Sequence, residues 1–320
     1  MPAPQPPRIT PAARIVAGNL RVDSATAEVL RAFDVAGVES LLLKGASIVH
    51  WLYEADNPRA YVDCDLLVRP AHGPAAGQVL AGIGFEPALE DEQMPSWWRE
   101  HAVAWVRQED GVIVDLHRTL AGVGVDAEKL WLTLSGDVER IVVAEFDAAT
   151  LAIPGRAFHL ALHAAQHGVG WEGPLHADLE RAVSSTEGTV WKAAAEIAAS
   201  LRGTAAFATG LRMVPAGEAL ASELDLPAGQ PVDVALRASS APPVALGFEQ
   251  LASARGLGAR LRIVRHKAFP PTTFMRAWSP RANQGRLGLM LAYAWRPLWI
   301  LRNAPTGFKA WRAARRSAGD

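Results

Sequence analysis

The stretch "YVDCDLLV" (Tyr61–Val68) places two acids one residue apart inside an apolar run and is closed by Pro70. Alternation with a period of two reads as a β-strand. It puts Asp63 and Asp65 on one face and turns Cys64 and Leu66 to the other, into a core. Two carboxylates this close repel, and in a partly buried place each tends to take up a proton unless a cation sits between them. One reading is therefore a divalent metal held by oxygen ligands, which suits Mg²⁺ or Mn²⁺. The other is an exposed strand edge that carries acids for solubility.

The neighbouring segments weigh on that choice. Thr26, Val29, Leu30 and Phe33 share a helical face that predicts an opening helix over 23–36, ended near Gly37. "ESLLLKG" then reads as a short buried strand, "ASIVHWLYEA" as a helix, and 74–83 as another helix with Ala76, Val79, Leu80 and Ile83 on one side. Strands near 101–108 and 112–118 form an expected hairpin around Asp110-Gly111. The second of them carries a third acid, Asp115, in "VIVDLHRTL", with His117 on the same face. Three acids on two adjacent strands can hold two metals that clamp the attacking and leaving oxygens of a phosphoryl or nucleotidyl displacement. Lys44-Gly45, between a strand and a helix, brings a cation and free backbone N–H groups where a triphosphate can lie, and Arg59 is a second cation.

These residues resemble a known group. "LLLKGAS", then Arg59 with Asp63-Cys64-Asp65, then "VDLH" is similar to the DNA polymerase β-like nucleotidyltransferase superfamily, above all its uncharacterised bacterial nucleotidyltransferases and, more distantly, abortive-infection type nucleotidyltransferase toxins. The resemblance implies that Gly45 with Lys44 and Ser47 grips the triphosphate, that Asp63 and Asp65 bind two Mg²⁺ or Mn²⁺ ions, and that Asp115 completes the metal site. Ser47 stands two residues after Gly45, where the superfamily usually has Ser or Gly adjacent. The implied activity moves an NMP from an NTP to a hydroxyl of an unidentified acceptor and releases pyrophosphate. Its rivals are a non-catalytic nucleotide-binding or regulatory protein of the same fold and a toxin-like RNA-modifying enzyme.

After "LAIPGR" (Leu151–Arg156) the periodicity becomes helical, in 157–168, 175–183, 190–201 and 246–259, with 224–247 read as a long connection. The expected fold is therefore α+β: a Pro-rich tail over 1–20, a small mixed-sheet core over 21–150 and a mainly helical domain over 151–320. His159, His163 and His167 recur every four residues and fit a structural stripe or a zinc site, and the resemblance implies a third use, the lining of an acceptor cleft with Asp178, where His117 is a further candidate for substrate contact. Residues 261–320 carry 12 Lys/Arg against one acid, Asp320, interleaved with aromatics such as Trp278, Trp295 and Trp311. That end can pack on the protein, meet RNA or lie on an anionic membrane. A lone cysteine and the lack of a signal-like start point to the cytoplasm, with peripheral membrane contact left open.

Overall fold

The structure, a computed structural model, describes residues 10–54, 57–88, 101–168 and 173–319. The chain divides into two compact units. The first holds Met1–Glu86, Ala104–Arg118 and Ala127–Arg156, and the second the rest.

In the first unit α1 (Pro11–Ala36) starts earlier than the periodicity suggests. The Thr10 side chain accepts from the Ala13 N–H at 3.2 Å and Pro11 occupies the first turn, so the segment read as a tail up to residue 20 is helical from Pro11 on. Residues 1–9 lie outside the described residues. The helix ends where Gly37, at φ +67°, enters the left-handed region, as expected for a glycine cap. Then follow β1 (Ser40–Leu42), α2 (Ala46–Leu52), β2 (Asp63–Val68), α3 (Gly73–Gly82), β3 (Glu86–Pro87), β4 (Ala102–Val106), β5 (Ile113–His117), α4 (Ala127–Leu134), β6 (Val138–Val143) and β7 (Phe146–Leu151).

Among the described residues these strands form one mixed sheet in the order β3-β4-β5-β2-β1-β7-β6. β2 runs antiparallel to β1 and parallel to β5, and β1 runs parallel to β7. The β6–β7 hairpin is absent from the sequence reading. Its two turn residues, Ala144 and Glu145, both have positive φ, +42° and +65°, as tight hairpin turns require, but neither is the Gly or Asn that usually announces one. One sheet face packs on α1 and α3. Its core includes Val29, Phe33, Cys64, Leu66, Leu80, Val114 and Leu116. The period of two thereby turns Asp63, Asp65, Asp115 and His117 to the opposite face.

The second unit is helical: most of α5 (Ile153–His167), then α6 (Leu175–Ser185), α7 (Gly188–Ser200), α8 (Thr204–Leu211), α9 (Pro215–Glu223), α10 (Val232–Ala238), α11 (Pro243–Ser253), α12 (Leu257–Ala268), α13 (Thr272–Trp278) and α14 (Gly285–Gly319). α10 lies inside the stretch read as a connection. Its buried Val234, Ala235 and Leu236 earn it a place in the packing that Pro-rich flanks disguise. In the basic end, Trp278 meets Trp299 at 5.5 Å between ring centres, and Phe308 and Trp311 pack with Phe248. The Trp311 indole N–H donates to Glu249 at 2.8 Å. Trp295 remains 44% exposed, so packing accounts for most of these aromatics but not for all. Among the described residues no helix is long and apolar enough to cross a membrane.

Candidate active site

Parallel pairing of β2 with β5 sets Asp65 opposite Asp115 and Leu67 opposite His117. The ligand atoms of Asp65, Asp115 and His117 consequently lie within 4.8 Å of one another. Asp63 is opposite Ile113 and is not in that set. It sits one pleat along the same strand face, where its charge and those of Asp65 and Asp115 still act on one another.

Asp65 is the anchor. It is fully buried, and both the Lys44 ammonium, at 2.8 Å, and His117 Nε2, at 3.0 Å, meet its Oδ1. Burial alone would raise its pKa, but the two basic partners outweigh burial and hold the carboxyl well below the usual carboxylate range. The same pairing works on Lys44, where burial disfavours the charge and Asp65 and Asp63 more than restore it. Oδ2 of Asp65 is buried with no hydrogen-bond partner among the described residues.

Asp63 and Asp115 are shifted the other way. Both are half-buried, and desolvation, followed by the nearby Asp65 charge, raises each, Asp115 to about 6. A buried carboxylate oxygen without a donor, beside two acids whose ionisation is disfavoured, fits a divalent cation, since an ion there satisfies the first and relieves the others. The residues that would hold it are Asp65 and Asp115, with Asp63 and His117 adjacent.

Gly45 has φ +60° and ψ −118°, a backbone conformation open in practice to glycine alone. A Cβ there would lie 3.3 Å from the Tyr61 ring and 3.5 Å from the Asp63 carbonyl oxygen. Gly45→Ala should therefore cost about 1–3 kcal/mol of stability, read as a lower denaturant midpoint with an unchanged slope; an unchanged midpoint would show that the turn relaxes freely.

Ser47, expected to reach a phosphate, is fully buried. Its hydroxyl lies 2.6 Å from Thr150 Oγ1, which itself donates to the Leu42 carbonyl, so Ser47 is the donor in a chain that ties α2 to β7 and β1. Arg59 is half-exposed, and its charge lowers the pKa of Asp63. Its position depends on residues that the sequence reading passed over. Asn19 on α1 donates to the Arg59 carbonyl at 2.9 Å and accepts from the Tyr61 N–H at 3.2 Å, while the Tyr61 hydroxyl donates to Asp23 at 2.7 Å. Asn19 and Asp23, one turn apart on a helix, were the only signal available, and helices carry many such pairs.

His163, His167 and Asp178 belong to the second unit. His163 stands 6.1 Å from His159 and 4.4 Å from His167 between ring centres, and Asp178 is fully buried on α6. Among the described residues this stripe does not form a group of three donor atoms close enough for one metal ion.

Residues 9–216, well over half of the chain, match the family model described as "Uncharacterised nucleotidyltransferase". The chain belongs to this family. It is a nucleotidyltransferase, in agreement with the resemblance read from Lys44-Gly45, Asp63, Asp65 and Asp115. Among solved structures, the nucleotidyltransferase is similar to the antibiotic-resistance factor ANT(2'')-Ia, with 13% identity, coverage of 55% of this chain and 93% of that one, and a TM-score of 0.39. It is also similar to an antigenic nucleotidyltransferase-like protein from Paracoccidioides brasiliensis, with 11% identity, coverage of 57% and 93%, and a TM-score of 0.33. No curated protein matches the enzyme.

Proposed function

We propose that the enzyme moves an NMP from an NTP to a hydroxyl of an acceptor, with Asp65 as the fixed anchor of the site and Asp115 as its base. The observation that carries this reading is the Asp65–Asp115 pair, set in register on parallel strands, with one Asp65 oxygen held by Lys44 and His117 and the other buried without a donor.

Lys44, Gly45 and Arg59 receive the triphosphate: the two cations balance its charge, and Gly45 keeps the strand–helix turn free of a side chain. Bound to Asp65 and Asp115, with Asp63 nearby, Mg²⁺ or Mn²⁺ supplies Lewis-acid stabilisation of charge on the phosphate oxygens. Asp115 accepts the proton of the acceptor hydroxyl. The pKa of about 6 belongs to the metal-free site, where desolvation and the Asp65 charge raise it; a bound cation would lower it, so the carboxylate is ionised at neutral pH and able to accept a proton. The acceptor oxygen forms a bond to the α-phosphorus as the bond to pyrophosphate breaks. His117 holds the Asp65 carboxylate in place.

Incubation with each α-³²P-labelled NTP, Mg²⁺ or Mn²⁺ and cell extract should transfer label to one class of molecule. Calorimetry should show NTP binding that strengthens at least tenfold when the metal is added. Equal NTP affinity with and without metal, for all four bases, together with no labelled product, would overturn the proposal.

A further inference from the structure

The second unit contains a cavity of about 930 Å³ whose wall is mostly apolar, with Leu246, Leu251, Val264, Trp299 and Ile300 among its residues. A volume of this order suits a small molecule with a substantial hydrophobic body. Two cations interrupt the apolar wall, Lys267 on α12 and Arg296 on α14. Asp233 and Arg237, one turn apart on α10, also reach the wall, and their opposite charges leave the lining with a surplus of two positive charges.

Arg296 is the unusual member. Only 6% of it is exposed, and its guanidinium carbon lies 4.5 Å from the centre of the Phe274 ring and 4.7 Å from that of Trp278. Its Nε donates to the Lys267 carbonyl at 2.7 Å, which fixes the side chain. Its Nη1 is buried with no hydrogen-bond partner among the described residues. Aromatic faces soften the cost of a buried cation but offer no lone pair in the plane of the fork. A buried guanidinium nitrogen without an acceptor is expensive, and an oxyanion, carboxylate or phosphate, is the group that a guanidinium fork pairs with most strongly. Burial holds the Arg296 pKa down to about 10, and burial together with the Arg296 charge holds that of Lys267 down to about 8.

We infer that this cavity binds an amphipathic anion, with a carboxylate or phosphate head on Arg296 beside Lys267 and an apolar chain along Leu246, Val264 and Ile300. The head supplies the acceptor that Nη1 lacks, and the chain fills volume that water occupies at a disadvantage. The inference does not rest on the nucleotidyl-transfer reading, because it concerns residues of the second unit alone.

The test uses the full chain without nucleotide and a dansyl-labelled undecanoic acid as the fluorescent probe. The probe should bind saturably at one site per chain. Dodecanoate and dodecyl phosphate should each be tried as competitors. Displacement by the first identifies a carboxylate ligand and by the second a phosphate ligand, while dodecanol and inorganic phosphate should both compete at least tenfold less well. Arg296→Met keeps the side-chain volume and removes a buried cation, so it should leave the melting temperature equal or higher while weakening probe binding about 10- to 100-fold. Absence of saturable binding, displacement by dodecanol as effective as by the anions, or unchanged affinity in Arg296→Met overturns the proposal. The dodecanol comparison needs no variant and decides the matter even if Arg296→Met misfolds.

Discussion

Asp65→Asn should reduce nucleotidyl transfer by three orders of magnitude or more and, in the same protein, lower its stability by roughly 3–5 kcal/mol. The two losses have separate causes. Turnover falls because the one carboxylate held rigidly by Lys44 and His117 loses its charge. Stability falls because Lys44, with only 16% of its side chain exposed, keeps an ammonium that a neutral amide cannot balance. The pH dependence follows from the sign of the shift. Asp65 is more acidic in the folded protein than in the unfolded chain, so its contribution is complete above the ordinary carboxylate range and is lost as the pH falls through the folded value. The variant should lack that component of acid unfolding. Adding Lys44→Met to Asp65→Asn should restore most of the stability and none of the activity. If the double variant is no more stable than Asp65→Asn alone, the buried pair is not what the single substitution breaks. If Asp65→Asn transfers label within tenfold of wild type, Asp65 is not the anchor of the reaction.

Asp115→Asn should lower turnover by a similar factor with the opposite effect on stability. Its carboxylate lies opposite that of Asp65 and is half-buried, so ionisation is disfavoured by desolvation and by the neighbouring charges. An acid raised from 3.8 to about 6 destabilises the fold wherever it is forced to ionise. The penalty is absent below the unfolded pKa, grows between the two values and is full above about 6. Asparagine removes it. The variant should be more stable than wild type by about 1–3 kcal/mol at pH 8 and by almost nothing near pH 4, as read by denaturant titration. Mg²⁺ with NTP should then stabilise wild type more than Asp115→Asn, because one ligand and one relieved repulsion are gone. NTP affinity should change much less than turnover, as befits a group that acts chiefly in the transition state. Near-normal turnover, or a variant less stable than wild type at pH 8, would remove Asp115 from the proposed role.

The strand carrying Asp63 and Asp65, and the faces on which they and Cys64 lie, were legible because alternation is a local property of a strand. So were the hairpin of β4 and β5, where Asp110-Gly111 marks the turn and Gly111 takes φ +70°, and the end of α1 at Gly37. The β6–β7 hairpin was not, because Ala144-Glu145 carries no turn chemistry that a reader can see. Ser47 was misjudged for a related reason: a hydroxyl beside a glycine turn looks available until Thr150, more than a hundred residues later, is found to accept from it. His117 reads from the sequence as a neighbour of Asp115 on one face and a candidate for the acceptor cleft, and the structure makes it a direct partner of Asp65.

By itself, the sequence determined the chemistry on offer: acids at alternate positions of one strand, a third acid with a histidine two residues on, and a lysine-glycine turn. Periodicity and turn propensity act over a few residues, so a linear reading captures them. Only the tertiary structure decided which of those groups meet. The parallel register of β2 and β5 puts Asp115 against Asp65 and leaves Asp63 opposite Ile113. The approach of Lys44 and His117 to a single oxygen then gives two neighbouring carboxylates opposite shifts. Register is set by how separate elements pack, and a charge is favoured or penalised by what surrounds it in space. Neither follows from any short stretch of the chain.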